Sequence, residues 1–258
     1  VLMASMVLAG SVIRLATRKT LAQDLYCVET LARVDVLCLD KTGTITEGSM
    51  EVTDVISLDG KNYDDALTAL MNALHDHNPT YEAVKEKYSG TTDWETVSAI
   101  PFSSAKKWSL ASFKGEGTYI MGAAEFILKH RLTEELKKLI EEQSTGGYRI
   151  ILIAHSENEP DMENKDLPDC ITPVALIKIR DKIRKEAPDT LEFFAKQGVD
   201  IRIISGDNPV TVSEVARRAG ITNAAQFISL EGLSDLEVEN AANQYTVFGR
   251  VTPEQKAI

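Results

Sequence analysis

The apolar run from Val34 to Leu39 is the feature that most constrains the fold of this chain. It is short, it is rich in strand-forming residues, and it stops at Asp40, as a buried strand of a parallel sheet does. A second run of this kind, residues 200–204, ends at Ser205-Gly206-Asp207. Both runs predict strands that are followed directly by polar side chains.

A helix is predicted between the second strand and a third one. The segment Pro209–Ala219 begins with a proline, which is favoured at a helix start, and it places Glu214 four residues before Arg218. The next candidate strand is Gln226–Ser229. Strand, helix and strand in succession indicate an α/β domain with a parallel sheet.

The middle of the chain, from about residue 50 to residue 172, has a different pattern. Strand-like runs and helical stretches alternate there, the strands near 97–100, 109–113, 119–121 and 149–155 and the helices near 64–74 and 133–143. The string Lys114-Gly115-Glu116-Gly117 separates two of the runs, and such a turn indicates an antiparallel hairpin. We therefore predict an antiparallel α+β insertion between two halves of one α/β domain.

Composition excludes several classes of protein. The 258 residues are 43% hydrophobic and 26% charged, as in an ordinary globular protein. The formal net charge of -11 disfavours nucleic acid as a partner. Cys27, Cys38 and Cys170 are widely spaced, so neither a disulfide framework nor a zinc site is indicated, and a reducing, cytosolic environment fits best.

The first residues form a separate apolar stretch. Val1–Ile13 is apolar apart from two serines, and Arg14, Arg18 and Lys19 follow it. A membrane-spanning helix needs about 20 apolar residues, but positive charge directly after an apolar run is typical of the cytosolic end of such a helix. We predict that residues 1–18 are the truncated end of a membrane helix, with a buried amphipathic helix as the alternative.

The string Asp40-Lys41-Thr42-Gly43-Thr44-Ile45-Thr46 follows the first predicted strand. A carboxylate at the carboxyl end of a parallel strand faces the crevice in which α/β sheets bind ligands, so Asp40 is placed to attack a phosphoryl group. An aspartyl-phosphate divides a difficult hydrolysis into two easier steps, and the glycine lets backbone N–H groups approach phosphate oxygens. A helix-capping turn is the alternative for a shorter part of this string.

These seven residues resemble the phosphorylation signature of the P-type ATPases, which belong to the haloacid dehalogenase superfamily, and the resemblance covers nearly the whole chain. It implies a haloacid-dehalogenase-like Rossmannoid parallel sheet with an inserted antiparallel α+β nucleotide-binding domain. Residues 19–49 and 174–258 would form the phosphorylation domain, and residues 50–173 the insertion. The resemblance also implies that ATP phosphorylates Asp40, and that Asp40 and the main-chain carbonyl of Thr42 hold Mg²⁺.

Three further strings have counterparts in the phosphorylation domain of this family. Ser205-Gly206-Asp207-Asn208 is similar to Thr-Gly-Asp-Asn, which implies that Ser205 and Gly206 bind phosphoryl oxygens and that Asp207 is a nucleotide-site candidate. Residues 248–256 are similar to Phe-Ala-Arg-Val-x-Pro-x-x-Lys, so Lys256 would lie at the phosphate and Arg250 near the nucleotide. Asp181-Lys182-Ile183-Arg184 stands in place of Asp-Pro-Pro-Arg, which makes Asp181 and Arg184 hinge and nucleotide candidates without the two prolines.

The insertion contains the candidate nucleotide pocket. Residues 102–109 are similar to a family stretch in which Phe102 would stack on adenine and Lys107 would lie beside it. Met121-Gly122-Ala123 replaces Lys-Gly-Ala, so Gly122 is retained and an expected cation is absent. Arg149 resembles an arginine that reaches the nucleotide phosphates. His75-Asp76-His77 is interpreted as a solvated turn rather than a metal site.

The resemblance implies the catalytic segment of an ATP-driven cation transporter, with ATP and Mg²⁺ bound and hydrolysis of the aspartyl-phosphate coupled to ion movement. The transported cation and the membrane would be its partners through helices outside this segment. The parent would be a multi-pass cell-membrane protein with this segment on its cytoplasmic side. An acidic string expected after Lys256 would complete the magnesium site, so we expect the segment alone to bind nucleotide without turning it over.

Two alternatives remain at the level of sequence. One is a soluble phosphatase of the same superfamily, although Thr42 stands where such enzymes usually place a second aspartate. The other is a nucleotide-binding module without chemistry.

Overall fold

The computed structural model of the chain describes residues 2–22, 24 and 26–258, and the side chains of all of these except residues 2 and 4. The strands are β1 (Val36–Asp40), β2 (Thr46–Ser57), β3 (Thr96–Ile100), β4 (Trp108–Phe113), β5 (Gly117–Gly122), β6 (Arg149–Ser156), β7 (Thr172–Ile183), β8 (Asp200–Ile204), β9 (Phe227–Ser229) and β10 (Val247–Gly249). The helices are α1 (Leu2–Thr17), α2 (Cys27–Leu31), α3 (Asp64–Ala73), α4 (Pro79–Lys87), α5 (Ala124–Leu128), α6 (Glu134–Ser144), α7 (Ala187–Lys196), α8 (Pro209–Arg218) and α9 (Asp235–Ala242).

Four strands form a parallel sheet in the order β1-β8-β10-β9. The register of β1 and β8 pairs Asp40 with Ile204, so the residues that follow these two strands leave the sheet at the same edge. Buried residues of α7 and α8 pack with those of the sheet, among them Leu191, Val212 and Ile203. The side chain of Asn208 caps α8, and this places the loop after β8 directly at the start of that helix.

Six strands form an antiparallel sheet in the order β2-β7-β6-β5-β4-β3. Strands β2 and β7 have 12 residues each and carry the chain out of the parallel sheet and back. Side chains alternate between the two faces of a strand. Ala111 and Phe113 of β4 therefore pack with α3 and α4, whereas Trp108 and Leu110 pack with α5 and α6.

The predicted fold class is confirmed: a parallel α/β sheet is interrupted by an antiparallel α+β unit. The predicted strand at 200–204 has the bounds of β8, and the predicted helix that begins at Pro209 is α8. The predicted domain limits at residues 50 and 173 fall inside β2 and β7. Each limit therefore cuts a strand that runs continuously between the two sheets. The division into domains stays a prediction.

The first helix, α1, carries exposed apolar side chains, including Met3, Met6 and Ile13. Within the residues that the structure describes, no helix is both long enough and apolar enough to cross a membrane. The interpretation of residues 1–18 as the end of a membrane helix stays a prediction, and Val1 lies outside the described residues.

Candidate active site

Asp40 is the last residue of β1, and its side chain is 45% exposed at the edge of the parallel sheet. Lys256 Nζ lies 2.5 Å from Asp40 Oδ2, and the backbone N–H of Thr42 donates to Oδ1 at 3.2 Å. Burial alone would raise the pKa of the Asp40 carboxyl group, but the hydrogen bonds from Lys256 and from the backbone outweigh burial and hold the pKa below its ordinary value. Asp40 is therefore an ionised carboxylate at neutral pH.

A short turn near the end of the chain positions Lys256. Thr252 and Gln255 exchange hydrogen bonds, since the Thr252 N–H donates to Gln255 Oε1 at 3.1 Å and the Gln255 N–H donates to Thr252 Oγ1 at 3.3 Å. The Gln255 amide also donates to the Leu230 carbonyl at 2.9 Å. These contacts fix the turn Gln255–Ala257 against the sheet and orient the lysine toward Asp40.

The loop after β8 contributes Ser205 and Gly206. Ser205 is buried; its N–H donates to the Phe248 carbonyl at 3.0 Å, and its carbonyl accepts from the Val251 N–H at 3.1 Å. Its hydroxyl oxygen accepts from the Asp207 N–H at 3.2 Å, so the hydroxyl hydrogen is still available to a ligand. Gly206 is exposed. The predicted phosphoryl-binding residues thus occupy the same sheet edge as Asp40.

Lys41 is a site residue that sequence reasoning missed. Its side chain is only 4% exposed, and Nζ lies 2.6 Å from Asp181 Oδ2 and 2.5 Å from Asp207 Oδ2. Burial would lower the pKa of the Lys41 ammonium, but the two carboxylates outweigh burial and raise it. Asp181 and Asp207, both predicted for the nucleotide site, are ion-paired with this lysine. The signal was present in the sequence, since Lys41 directly follows Asp40.

The two predicted arginines at this end of the molecule have different environments. The guanidinium of Arg184 donates to the Gly43 carbonyl at 2.8 Å, and the Arg184 N–H donates to the Ile45 carbonyl at 3.0 Å. Arg184 therefore braces the turn that follows Asp40. Arg250 is exposed, and its backbone N–H donates to the Asp207 carbonyl at 2.8 Å. Their roles toward a nucleotide stay predictions.

A cavity of about 380 Å³ lies on the antiparallel sheet and brings together the predicted nucleotide residues. Its lining includes Phe102, Lys107, Gly122 and Arg149. A Cβ atom at Gly122 would lie 2.4 Å from the Lys107 carbonyl oxygen, so only glycine allows β5 to approach the Lys107 backbone this closely. The Arg149 guanidinium donates to Thr80 Oγ1 at 3.2 Å at the same cavity.

Asp76 departs from its predicted role as part of a solvated turn. It is buried, and its Oδ1 atom accepts from the backbone N–H of Phe102 at 2.8 Å. The carboxylate therefore holds in place the residue predicted to stack on adenine. Across the described residues, no three His, Cys, Asp or Glu side chains are grouped so that they could hold a metal ion, and His75 and His77 are exposed.

A larger cavity of about 470 Å³ lies at the other end of β5. Four carboxylates line it, those of Asp59, Asp65, Glu116 and Glu157. With Lys61 also in the lining, four carboxylates stand against one lysine, and the net negative charge would repel a triphosphate. The cavity beside Phe102, which has apolar walls, a lysine and an arginine, fits a purine nucleotide better.

The residues at the parallel sheet also fit Mg²⁺. This ion prefers oxygen ligands, keeps several waters, and is usually held by one or two carboxylates together with substrate phosphates. Asp40 supplies an exposed, ionised carboxylate, and Thr42 lies two residues along in the exposed turn. These residues would supply only part of the coordination of Mg²⁺, and the phosphates of a bound substrate would supply the rest.

Comparison with known proteins agrees with this geometry. The family model described as "haloacid dehalogenase-like hydrolase" matches residues 34–254. The chain is 39% identical over 255 residues to the "Probable cation-transporting ATPase exp7" of Streptococcus pneumoniae, a match that covers 97% of this chain and 32% of that protein. It is 38% identical over 260 residues to the "Calcium-transporting ATPase CtpE" of Mycobacterium bovis, covering 99% of this chain and 32% of that protein.

A solved structure of a zinc-transporting PIB-type ATPase in the E2.Pi state has the same fold, with a TM-score of 0.67 and 20% identity. That match covers 94% of this chain and 37% of the other. The chain belongs to the haloacid dehalogenase-like hydrolase family, and the resemblance to P-type ATPases is confirmed by its cation-transporting relatives. It spans about a third of the length of the curated relatives that it matches.

Proposed function

We propose that this chain is the catalytic segment of an ATP-driven cation transporter and accepts the γ-phosphoryl group of ATP on Asp40. The observation that carries the proposal is the pairing of Asp40 with Lys256 at 2.5 Å, at the carboxyl end of a parallel strand. This contact lowers the pKa of the Asp40 carboxyl group and so favours the ionised form that a nucleophile needs. It also places a cation where negative charge develops during phosphoryl transfer.

In the proposed reaction, a carboxylate oxygen of Asp40 bonds to the γ-phosphorus while the bond from that phosphorus to the β–γ bridging oxygen breaks, and ADP leaves. The hydroxyl of Ser205 and the N–H of Gly206 bind the equatorial phosphoryl oxygens. Mg²⁺ held by Asp40 and Thr42 would neutralise charge on the transferred group. Water then hydrolyses the aspartyl-phosphate, which releases phosphate and restores the carboxylate.

The nucleotide is proposed to bind in the cavity on the antiparallel sheet. Phe102 offers an aromatic face to adenine, Lys107 lies beside the base, and Arg149 supplies positive charge for the phosphates. Met121 lies in the same cavity where the family has a lysine. We therefore expect ATP to bind more weakly than it would to a pocket with a third cation.

Cation transport is proposed for the whole protein, and the names of the relatives support it. We infer that the parent is a membrane protein with this segment on its cytoplasmic side, and that phosphorylation of Asp40 drives movement of a cation. Some of the relatives are named as calcium-transporting ATPases, so Ca²⁺ is the first cation to test in flux assays.

The test is phosphorylation of the full-length protein in membranes with ATP labelled at the γ-phosphate, followed by acid quenching. Asp40→Asn should abolish the hydroxylamine-labile label, because an amide does not form the acyl phosphate. Asp35→Asn is the matched control, since it removes an exposed carboxylate just before the same strand, and it should keep the label. A hydroxylamine-labile label that persists on the Asp40→Asn protein would contradict the proposal. Steady hydrolysis of a simple phosphate ester without labelled protein would instead favour the soluble phosphatase.

A further inference from the structure

The side chain of Ser109 is buried without a hydrogen-bond partner. It lies on β4, is 0% exposed, and its hydroxyl oxygen contacts no donor or acceptor within the described part of the chain. A buried hydroxyl without a partner destabilises the folded state, because it has given up its bonds to water. Ser109 also lines the cavity that contains Phe102. The unpaired hydroxyl therefore belongs to a residue that lines the proposed nucleotide site.

A second serine on the same strand shows how this sheet normally satisfies such a group. Ser112 is 2% exposed, and its hydroxyl lies 2.7 Å from that of Thr118, its cross-strand partner on β5. The cross-strand partner of Ser109 on β5 is Met121, whose thioether is only a weak acceptor. The same ladder thus satisfies one buried serine and leaves the other unpaired at the cavity.

Two other neutral polar side chains line the cavity, and each already has a partner: the Asn78 side-chain oxygen accepts from the Tyr81 N–H at 2.9 Å, and Thr80 Oγ1 accepts from Arg149 at 3.2 Å. Phe102, Met121 and Ile151 offer apolar surface, and the remaining polar side chains, Lys107 and Arg149, carry positive charge. Pockets for flat ligands combine apolar walls with a few polar groups that fix orientation. A serine hydroxyl donates one hydrogen bond and can also accept, so it can donate to the ring nitrogen N1 of adenine or accept from the 6-amino group.

We propose that Ser109 is a base-recognition residue whose hydroxyl forms a hydrogen bond with the Watson–Crick edge of the bound adenine. The inference rests on the proposed function, since it deepens the nucleotide site on the antiparallel sheet. It assigns the unpaired hydroxyl a partner that is present only when nucleotide is bound. Without nucleotide, the unpaired hydroxyl of Ser109 destabilises the folded chain, and bound adenine supplies its missing hydrogen-bond partner.

The test uses two measurements on the 258-residue chain. Calorimetry measures nucleotide binding, and thermal unfolding without nucleotide gives the melting temperature. Three probes are compared: ATP, purine riboside triphosphate, which lacks the 6-amino group, and 1-deaza-ATP, which lacks the ring nitrogen N1. Ser109→Ala should weaken ATP binding about five- to tenfold, as loss of one hydrogen bond does. At least one of the two analogues should bind the wild type and the variant equally. The melting temperature without nucleotide should rise by a few degrees, because an unpaired buried hydroxyl is removed.

Ser112→Ala is the matched control, because it makes the same substitution at a buried serine of the same strand. It breaks the hydrogen bond with Thr118, so it should lower the melting temperature and leave ATP binding unchanged. The two variants should therefore have opposite effects on stability and different effects on binding.

Equal weakening of ATP and both analogues by Ser109→Ala would overturn the inference, because it would show a general structural role. If Ser109→Ala leaves ATP binding unchanged, the inference about Ser109 is also overturned. If Phe102→Ala weakens ATP binding in the same assay, the proposed nucleotide site nevertheless stands. Absence of ATP binding to the wild-type chain at millimolar concentration would overturn the nucleotide site and this inference together.

Discussion

Lys41 Nζ lies 2.6 Å from Asp181 Oδ2, although the two residues are 140 positions apart in the chain. The contact joins the turn that follows β1 to the end of β7, the strand by which the antiparallel sheet returns to the parallel one. Asp207, from the loop after β8, pairs with the same ammonium. One buried cation thus holds together three segments around Asp40.

We expect Asp181→Asn to lower the free energy of unfolding by about 1 to 3 kcal/mol at pH 7, because a buried ammonium loses a charged partner. The pKa of Lys41 is raised above its ordinary value of 10.5, so the stabilisation is complete below pH 10.5 and is lost as the pH rises through the raised pKa. Urea denaturation of both proteins between pH 7 and pH 11.5 measures the difference. Asp93→Asn, in an exposed loop, should have little effect. A difference that vanishes by pH 9 would contradict this assignment.

Lys256→Met should raise the pKa of Asp40. The hydrogen bond and the charge of Lys256 both lower that pKa, and their removal leaves burial, which raises it, opposed only by the backbone N–H groups. In the wild type, the carboxyl carbon of Asp40 should titrate below pH 3.8 in an NMR experiment, and in the variant the midpoint should move upward. Lys196→Met removes an exposed lysine that pairs with Glu192 and should leave the Asp40 midpoint in place. An unchanged midpoint in the Lys256 variant would show that the contact is absent in solution.

Phe102→Ala should weaken ATP binding about tenfold, since the loss of an aromatic stacking face costs about 1 to 1.5 kcal/mol. Phe126→Ala is the control, because Phe126 is also 39% exposed but lies on α5, outside the cavity. Calorimetric titration with ATP compares the two variants. Equal affinities for the wild type and the Phe102 variant would place the base elsewhere.

Gly249→Ala should destabilise the parallel sheet by about 1 to 3 kcal/mol. A Cβ atom at this position would lie 2.5 Å from both the nitrogen and the Cα of Pro209, the first residue of α8. Gly206→Ala is expected to keep the stability, because the nearest atom to its added Cβ is the Val251 carbonyl oxygen at 3.6 Å. Chemical denaturation measures both variants. Similar unfolding free energies would mean that β10 and α8 separate easily.

The sequence was sufficient to predict the parts of the fold that depend on local pattern. The apolar run before Asp40 and the run at 200–204 predict two strands of a parallel sheet, and the structure shows that β1 and β8 pair directly. Strands β2 and β7 were not predicted as long strands. Charged residues such as Glu51, Asp54 and Arg180 interrupt their apolar pattern, and their pairing joins residues more than 100 positions apart.

Sequence motifs alone assigned Asp40 and Lys256 to the candidate site, and the structure brings their side chains to 2.5 Å of one another; their roles stay predictions. The candidate site was not predictable where the role depends on contacts made in the folded chain. Asp76 acts on Phe102 through a hydrogen bond between residues 26 positions apart. The hydroxyl of Ser109 lacks a partner because of the groups that surround it in the folded chain. The sequence shows only a serine in a strand and does not indicate those neighbours.

The ladder between β2 and β7 is irregular where it meets the parallel sheet. Thr46 pairs with Ile183 and the next pair is Met50 with Asp181, so β2 has extra residues opposite β7 at this point. A bulge removes ladder hydrogen bonds and increases local twist. Bending within the plane of the ladder stretches bonds along one edge, whereas bending perpendicular to that plane does not. We expect the antiparallel sheet to bend mainly perpendicular to the plane of this ladder, about residues 46–50.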